Sequence, residues 1–272
     1  MSETETAPTE QEETAPEPIL SVTDLRKEFS GITAVDSVTF DIEPSGMTGL
    51  IGPNGAGKST TFNCITNLVS PDGGTVVFDG EDVTGMPTYR IARKGLIRTF
   101  QIARELREMT VLENMMLTAN EQNESPFHAV SPGLRDNIRR QEERLLETAW
   151  ELLEFFDIDH LAYSYAGTLS GGQRKLLELA RALMADPEML MLDEPFAGVN
   201  PTLEERLLDR LHALTQEGYT FLVVEHDIKL IMSNCERVLV MHQGELLADG
   251  PPEFVREDER VIEAYLGGEV SG

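Results

Sequence analysis

Lysine is scarce in this chain, and so is cysteine. Only 5 of the 22 basic side chains are lysine, against 48 Asp and Glu, and the formal net charge is −26. Most of such a surface repels free nucleic acid, which argues against a DNA or RNA binder. The two cysteines, Cys64 and Cys235, fall in apolar segments at no metal-ligand spacing. They are expected to be buried, reduced thiols. No window approaches 18 uninterrupted apolar residues, so no segment is expected to span a membrane by itself. The first residues are acidic and lack a basic-then-apolar leader pattern, which predicts a protein that stays in the cytoplasm.

What is abundant is carboxylate. Lysine-poor acidic surfaces resemble those of proteins from salt-loving organisms, where high salt screens self-repulsion. A halophilic source is the expectation from composition. Residues 1–17 carry acids, Thr and Pro with almost no apolar side chains. They cannot bury enough surface to offset their ordering entropy, which predicts a disordered tail. The rest is 272 residues' worth of ordinary globular material, 40% apolar over the whole chain. That is enough for one large domain with a lobe.

From residue 19 strand and helix patterns alternate. Strands are predicted over 19–25, 34–42, 47–51, 75–78, 96–100, 189–192, 221–224, 238–241 and 245–247. Helices are predicted over 58–68, 172–184 and 203–216. The alternation predicts an α/β core, a mostly parallel sheet covered by helices. The middle differs. Residues 110–120 and 134–156 have helical periodicity, with Leu145, Leu146, Ala149, Trp150, Leu153 and Phe156 forming one apolar stripe. A polar stretch, 121–133, separates them. Residues from about 102 to 175 therefore read as a helical lobe inserted into the core.

Gly52-Pro53-Asn54-Gly55-Ala56-Gly57-Lys58-Ser59 fits the phosphate-loop pattern, between a predicted strand and a predicted helix. The glycines let successive N–H groups turn into one cavity, and the helix N-terminus adds partial positive charge. Lys58 would reach the β- and γ-phosphates of ATP, and the Ser59 hydroxyl would ligate Mg²⁺. Pro53, Asn54, Ala56 and Thr60 complete the loop. A glycine turn that binds nothing is the rival reading, and the strand–loop–helix setting weighs against it.

Residues 189–192 form an apolar run that ends in Asp193 and Glu194. In a parallel sheet, strand C-termini face the ligand crevice. Asp193 would hold Mg²⁺, and Glu194 would polarise the attacking water as a general base. Residues 221–224 repeat the design and end in Glu225, His226 and Asp227. His226 is expected in the same crevice, contacting the γ-phosphate. His128, His160, His212 and His242 read as solvated or structural.

Leu169-Ser170-Gly171-Gly172-Gln173 is a second anion-site pattern, a serine cap and two glycines before a helix. One fold does not need two such sites for one ATP. This element resembles the signature of ABC ATPases, and four further elements match that family in order. Phe29 matches the aromatic that stacks on adenine. Gln101 matches the glutamine that senses Mg²⁺ and the membrane subunits. Ala197-Gly198-Val199-Asn200 stands where the dimer-contacting loop belongs. His226 matches the switch histidine. The resemblance spans about residues 19–267. It departs at Asn200, commonly aspartate, at Thr66-Asn67, where glycine often occurs, and at Phe29, commonly tyrosine.

The resemblance implies an ABC-type P-loop ATPase with an antiparallel β part, spanning 18–268 and followed by a short tail at 269–272. It implies two such domains paired head to tail, each ATP between one chain's phosphate loop and the other's Ser170–Gln173 equivalent. Two membrane permeases would convert closure into transport, placing the protein at the cytoplasmic face of the membrane. Arg98-Thr99-Phe100-Gln101, Thr110-Val111-Leu112-Glu113-Asn114, Ala197 to Pro201 and Ala264-Tyr265-Leu266-Gly267 resemble the longer ATPase of branched-chain amino acid importers. That subfamily implies a heterodimer with a shorter ATPase and, indirectly, an extracellular solute-binding protein. Homodimerisation, transport of urea, amides or another solute, and a soluble ABC ATPase of repair or translation are the rival readings.

Overall fold

The computed structural model describes residues 17–99, 106–117 and 132–266, the side chains of 132–138 and 266 apart. The acidic tail (to residue 16), Phe100, Gln101, most of the polar stretch 121–133, Gly267 and the short C-terminal tail lie outside them.

In chain order the elements are β1 (Leu20–Phe29), β2 (Ile32–Ile42), β3 (Gly46–Ile51), α1 (Lys58–Ile65), β4 (Gly73–Phe78), β5 (Glu81–Asp82), α2 (Thr88–Arg93), β6 (Leu96–Arg98), α3 (Val111–Met116) and α4 (Pro132–Phe155). They continue with α5 (Gly171–Leu183), β7 (Met189–Asp193), α6 (Pro201–Gln216), β8 (Thr220–Val224), α7 (Ile228–Asn234), β9 (Arg237–His242), β10 (Glu245–Gly250), α8 (Pro252–Glu257) and α9 (Glu259–Leu266).

Two sheets result. β2, β1, β4 and β5 form an antiparallel sheet in that order. β10, β9, β3, β8, β7 and β6 form the larger one, parallel except at its β10 edge. This is the ABC ATPase fold class expected from the sequence, mostly parallel core and antiparallel part included.

The strands of the large sheet serve two cores at once, because successive side chains point to opposite faces. Leu190, Leu192, Phe221, Val223, Val238 and Val240 pack with the helices. Met189, Met191, Leu222, Val224, Leu239 and Met241 pack toward α1 and the antiparallel sheet. That double burial is why these strands read as unbroken apolar runs. Cys64 and Cys235 are free, buried thiols, one in each core.

α3, α4 and α5 pack on one another as the helical reading anticipates. Ala149, Leu153 and Phe156 are fully buried, with Leu145 and Trp150 against them. Leu146 is not part of that face; it is exposed. The boundary of α3 rests on a capping box: Thr110 Oγ1 accepts from Glu113 N, and Glu113 Oε2 accepts from Thr110 N at 2.7 Å. The next residue, Asn114, is completely buried. Its Oδ1 accepts from Leu106 N at 2.9 Å, and its Nδ2 donates to the carbonyls of Leu106 and Thr110. One amide thereby satisfies a buried loop that has no ladder of its own.

Several predicted ends shift by a few residues. The helix expected to reach residue 68 stops at Ile65, with Asn67 at φ 48°. Asparagine tolerates that left-handed conformation, which explains how Thr66-Asn67 can stand where glycine is common. The strand expected over 96–100 is described only to Arg98. Short α2, α7, α8 and α9 were not anticipated by periodicity.

Candidate nucleotide site

β3, β8 and β7 are neighbours and parallel, with Leu50 and Asp193 both in register with Val224. The three strands therefore end level. The loop after β3, Glu194 after β7, and Glu225 with His226 after β8 emerge side by side.

Gly57 opens α1 in a left-handed conformation, φ 103°, and contributes no side-chain cap. The first amides of the helix are left to whatever the loop encloses. A Cβ there would sit 2.5 Å from Ala34 O, and one on Gly52 would sit 2.2 Å from Met241 O. Both positions require glycine. Gly244 N donates to Ala56 O at 3.0 Å, so the β9–β10 turn buttresses the loop.

Lys58 is half-buried and curls back, donating to Gly52 O at 2.7 Å and Pro53 O at 3.1 Å. Burial lowers its pKa, while the charges of Glu194 and Asp193 push it the other way. The lysine and the strand-end carboxylates thus share one electrostatic neighbourhood.

Asp193 is buried, and Arg98 holds its Oδ2 at 2.6 Å. Glu194 sits at φ 48°, a conformation uncommon for a side chain larger than glycine. Its backbone is fixed on both sides: its N–H donates to Val224 O at 2.9 Å, and its carbonyl accepts from Lys175 Nζ at 3.3 Å. Glu225 is buried to 1% exposure; its carboxylate accepts from Phe196 N at 3.0 Å and His226 N at 3.2 Å. Desolvation raises its pKa against those two amides. The His226 ring is exposed, with Nδ1 3.5 Å from Glu225 Oε2.

Ser170 caps α5. Its Oγ accepts from Gln173 N at 3.3 Å, and Gln173 Oε1 accepts from Ser170 N at 2.9 Å. Ser170 and Gly171 face solvent. A Cβ on Gly171 would meet open space, but one on Gly172 would lie 2.3 Å from Leu203 Cδ2. The second glycine is thus required by packing against α6.

A family model described as ABC transporter matches residues 35–197, and one described as branched-chain amino acid ATP-binding cassette transporter matches 245–271. The probable branched-chain amino acid transport ATP-binding protein LivG of Archaeoglobus fulgidus is 41% identical over 253 residues, 93% of this chain and 97% of that protein. This chain belongs to the ABC transporter ATP-binding family. The high-affinity branched-chain amino acid transport ATP-binding protein BraF of Pseudomonas aeruginosa is 43% identical, covering 92% of this chain and 98% of that protein. The crystal structure of the ADP conformation of an ATP-binding cassette of an ABC transporter superposes with TM-score 0.79 at 36% identity, over 92% of this chain and 99% of that one. ATP hydrolysis coupled to transport is the activity of this family.

Within this ABC subunit the residues singled out by sequence fall into three groups. Gly52, Pro53, Asn54, Gly55, Ala56, Gly57, Lys58, Ser59 and Thr60 form one loop and helix start, with Asp193, Glu194 and His226 at neighbouring strand ends. Ser170, Gly171, Gly172 and Gln173 form a separate helix start. Phe29 ends β1 at an exposed hairpin tip, with Lys27 Nζ 5.3 Å from its ring centre. Gln101 lies outside the described residues. Sequence reasoning missed Glu225 as an anchor, Lys175 as a tie to Glu194, and the cap that Asn200 provides to α6 through Leu203 N at 3.0 Å. It met Arg98 only as a subfamily echo. Among the described residues no helix is long and apolar enough to cross a membrane.

Proposed function

We propose that this chain is the longer ATPase of a branched-chain amino acid importer, acting at the cytoplasmic face of the membrane. The observation that carries the reading is the alignment of phosphate loop, acidic tip and histidine tip on three adjacent parallel strands, in a chain whose relatives are named for that transport. Residues 18–268 act as one ATPase domain, with the helical lobe of about 102–175 set into its nucleotide-binding core.

The 52–60 loop holds the phosphates of ATP, and Phe29 stacks on the adenine. Lys58 exchanges its two loop carbonyls for phosphate oxygens. Mg²⁺ fits the donors on offer. The Ser59 hydroxyl, the Gln101 side-chain oxygen and the Asp193 carboxylate are hard oxygen ligands, and this ion takes few protein ligands, filling its shell with phosphate and water. The absence of any three-residue His, Cys, Asp or Glu cluster among the described residues agrees with such a site. When bound, the metal neutralises charge on the phosphate oxygens. Glu194 accepts the proton of the attacking water, and His226 orients the γ-phosphate end of the site.

Ser170, Gly171, Gly172 and Gln173 serve the partner's ATP. The partner is a shorter ATPase in a heterodimer, both docked on two permeases fed by an extracellular solute-binding protein. The carboxylate-rich, lysine-poor composition adapts the complex to high salt, so its melting temperature should rise with KCl. The deciding test is leucine uptake by vesicles carrying the reconstituted complex. Uptake should require ATP and vanish with Lys58→Ala. A complex that assembles and hydrolyses ATP but moves no branched-chain amino acid refutes the assigned cargo.

A further inference from the structure

We propose that Arg98 is a positioning residue for the metal-binding carboxylate, clamping Asp193 to the helix that follows the phosphate loop. The inference rests on the reading of Asp193 as a ligand of the nucleotide's divalent cation.

Arg98 is the last residue of β6, and its neighbour β7 ends at Asp193. Its guanidinium spans two elements. NH2 donates to Asp193 Oδ2 at 2.6 Å, and NH1 donates to Asn63 Oδ1 at 2.6 Å. Asn63 lies on α1, in the turn after Lys58 and Ser59. The same guanidinium lies over the Phe62 ring, 5.6 Å from its centre. Both members of the ion pair are nearly buried, with side-chain exposures of 11% and 6%. The fork therefore fixes the distance between the acidic strand tip and the helix that carries the Ser59 hydroxyl.

This arrangement is poorly explained by stability alone. Buried ion pairs are often no better than apolar residues of the same shape. The Arg98 Nε is also buried without a hydrogen-bond partner among the described residues, an unsatisfied donor that costs stability. Positioning accounts for the geometry. Arg98 takes Oδ2 and leaves Oδ1 aimed elsewhere, and a small octahedral cation needs its few protein oxygens held in place. The Lys alternative cannot do the same, because an ammonium lacks the planar fork that reaches both acceptors.

Coulomb's law by itself makes the opposite prediction. A cation beside Asp193 should weaken metal binding, so its removal should tighten it. The sign of the effect thus separates a clamp from a mere counter-charge. The full chain would be titrated with Mn²⁺, followed by electron paramagnetic resonance, in the presence of ADP. Nucleotide affinity in EDTA and thermal melting would be measured alongside. Arg98→Met should weaken Mn²⁺ binding by about ten-fold or more, with metal-free ADP binding retained. Arg98→Lys should recover part of the loss. Asn63→Ala, which removes only the second anchor, should weaken Mn²⁺ in the same direction by a smaller factor. It decides the matter alone should Arg98→Met fail to fold. Mn²⁺ affinity that is unchanged or tighter in these variants, beside a clear loss in Asp193→Asn, overturns the clamp. Unchanged affinity in Asp193→Asn overturns the metal-ligand reading itself.

Discussion

The chain carries two glycine-bearing helix starts, and they are built in opposite ways. At the phosphate loop, α1 begins without a side-chain cap, and charge is concentrated around it: Lys58, Asp193, Arg98 and the strained Glu194. At Ser170, α5 begins with a closed capping box and faces solvent with no buried charge in it. The first end has its electrostatics arranged inside one chain. The second satisfies its own hydrogen bonds and presents a finished surface. An end that must do chemistry keeps groups in costly states; an end that must only receive a partner's ligand can relax. The two are joined within the chain, because Lys175 on the second helix reaches the Glu194 carbonyl beside the first.

The contrast breaks first at Glu194. In the assembled complex, Glu194→Gln should lower single-turnover ATP hydrolysis by about 10²–10⁴-fold, the usual worth of a general base, while nucleotide binding persists. Hydrolysis at the wild-type rate would move the base elsewhere. The relaxed end should respond in stability instead. Gly172→Val drives a side chain into Leu203, and overpacking of this kind costs about 1–3 kcal/mol, readable in urea melts of the isolated chain. Gly171→Ala points into open space and should melt like the wild type, so a similar loss at both glycines would refute the packing account.

The smallest effect is one of pH slope. Burial raises the Glu225 pKa above its unfolded value. The folded state therefore binds that proton more readily than the unfolded chain. Stability attributable to Glu225 is full below the ordinary Glu value of about 4.3 and falls as pH rises toward the folded value, then levels off. Glu225→Gln should flatten this segment of the urea-stability profile, and an identical slope would show that Glu225 does not titrate there.

The parts of the site readable in the sequence were those with local chemistry. A strand ending in glycines, or in two acids, declares its tip, and parallel order brings tips together. The double-sided burial of β7 and β8 made them legible as unbroken runs. The rest depends on partners distant in sequence. Arg98 and Asp193 are 95 residues apart, and Phe196 and Glu225 are 29 apart. No window holds both members of either pair. Leu146 was misassigned because its stripe is wider than the face α4 buries. α7 spans only 7 residues, too few for periodicity to speak, although Asp227 caps it through Leu230 N. The motif from Thr110 to Asn114 was recognised as a family echo before its reason was known: it is a cap followed by a loop-pinning amide.

The two thiols form a gauge that the molecule already carries. Burial pushes Cys64 up to about 11 and Cys235 up to about 12. Each belongs to a different core, on opposite faces of the same sheet. Near neutral pH neither presents thiolate to an alkylating reagent until its own core opens. The two labelling rates, read separately by mass spectrometry, would therefore time the opening of each face of the sheet and tell whether nucleotide tightens both or only the one behind the phosphate loop.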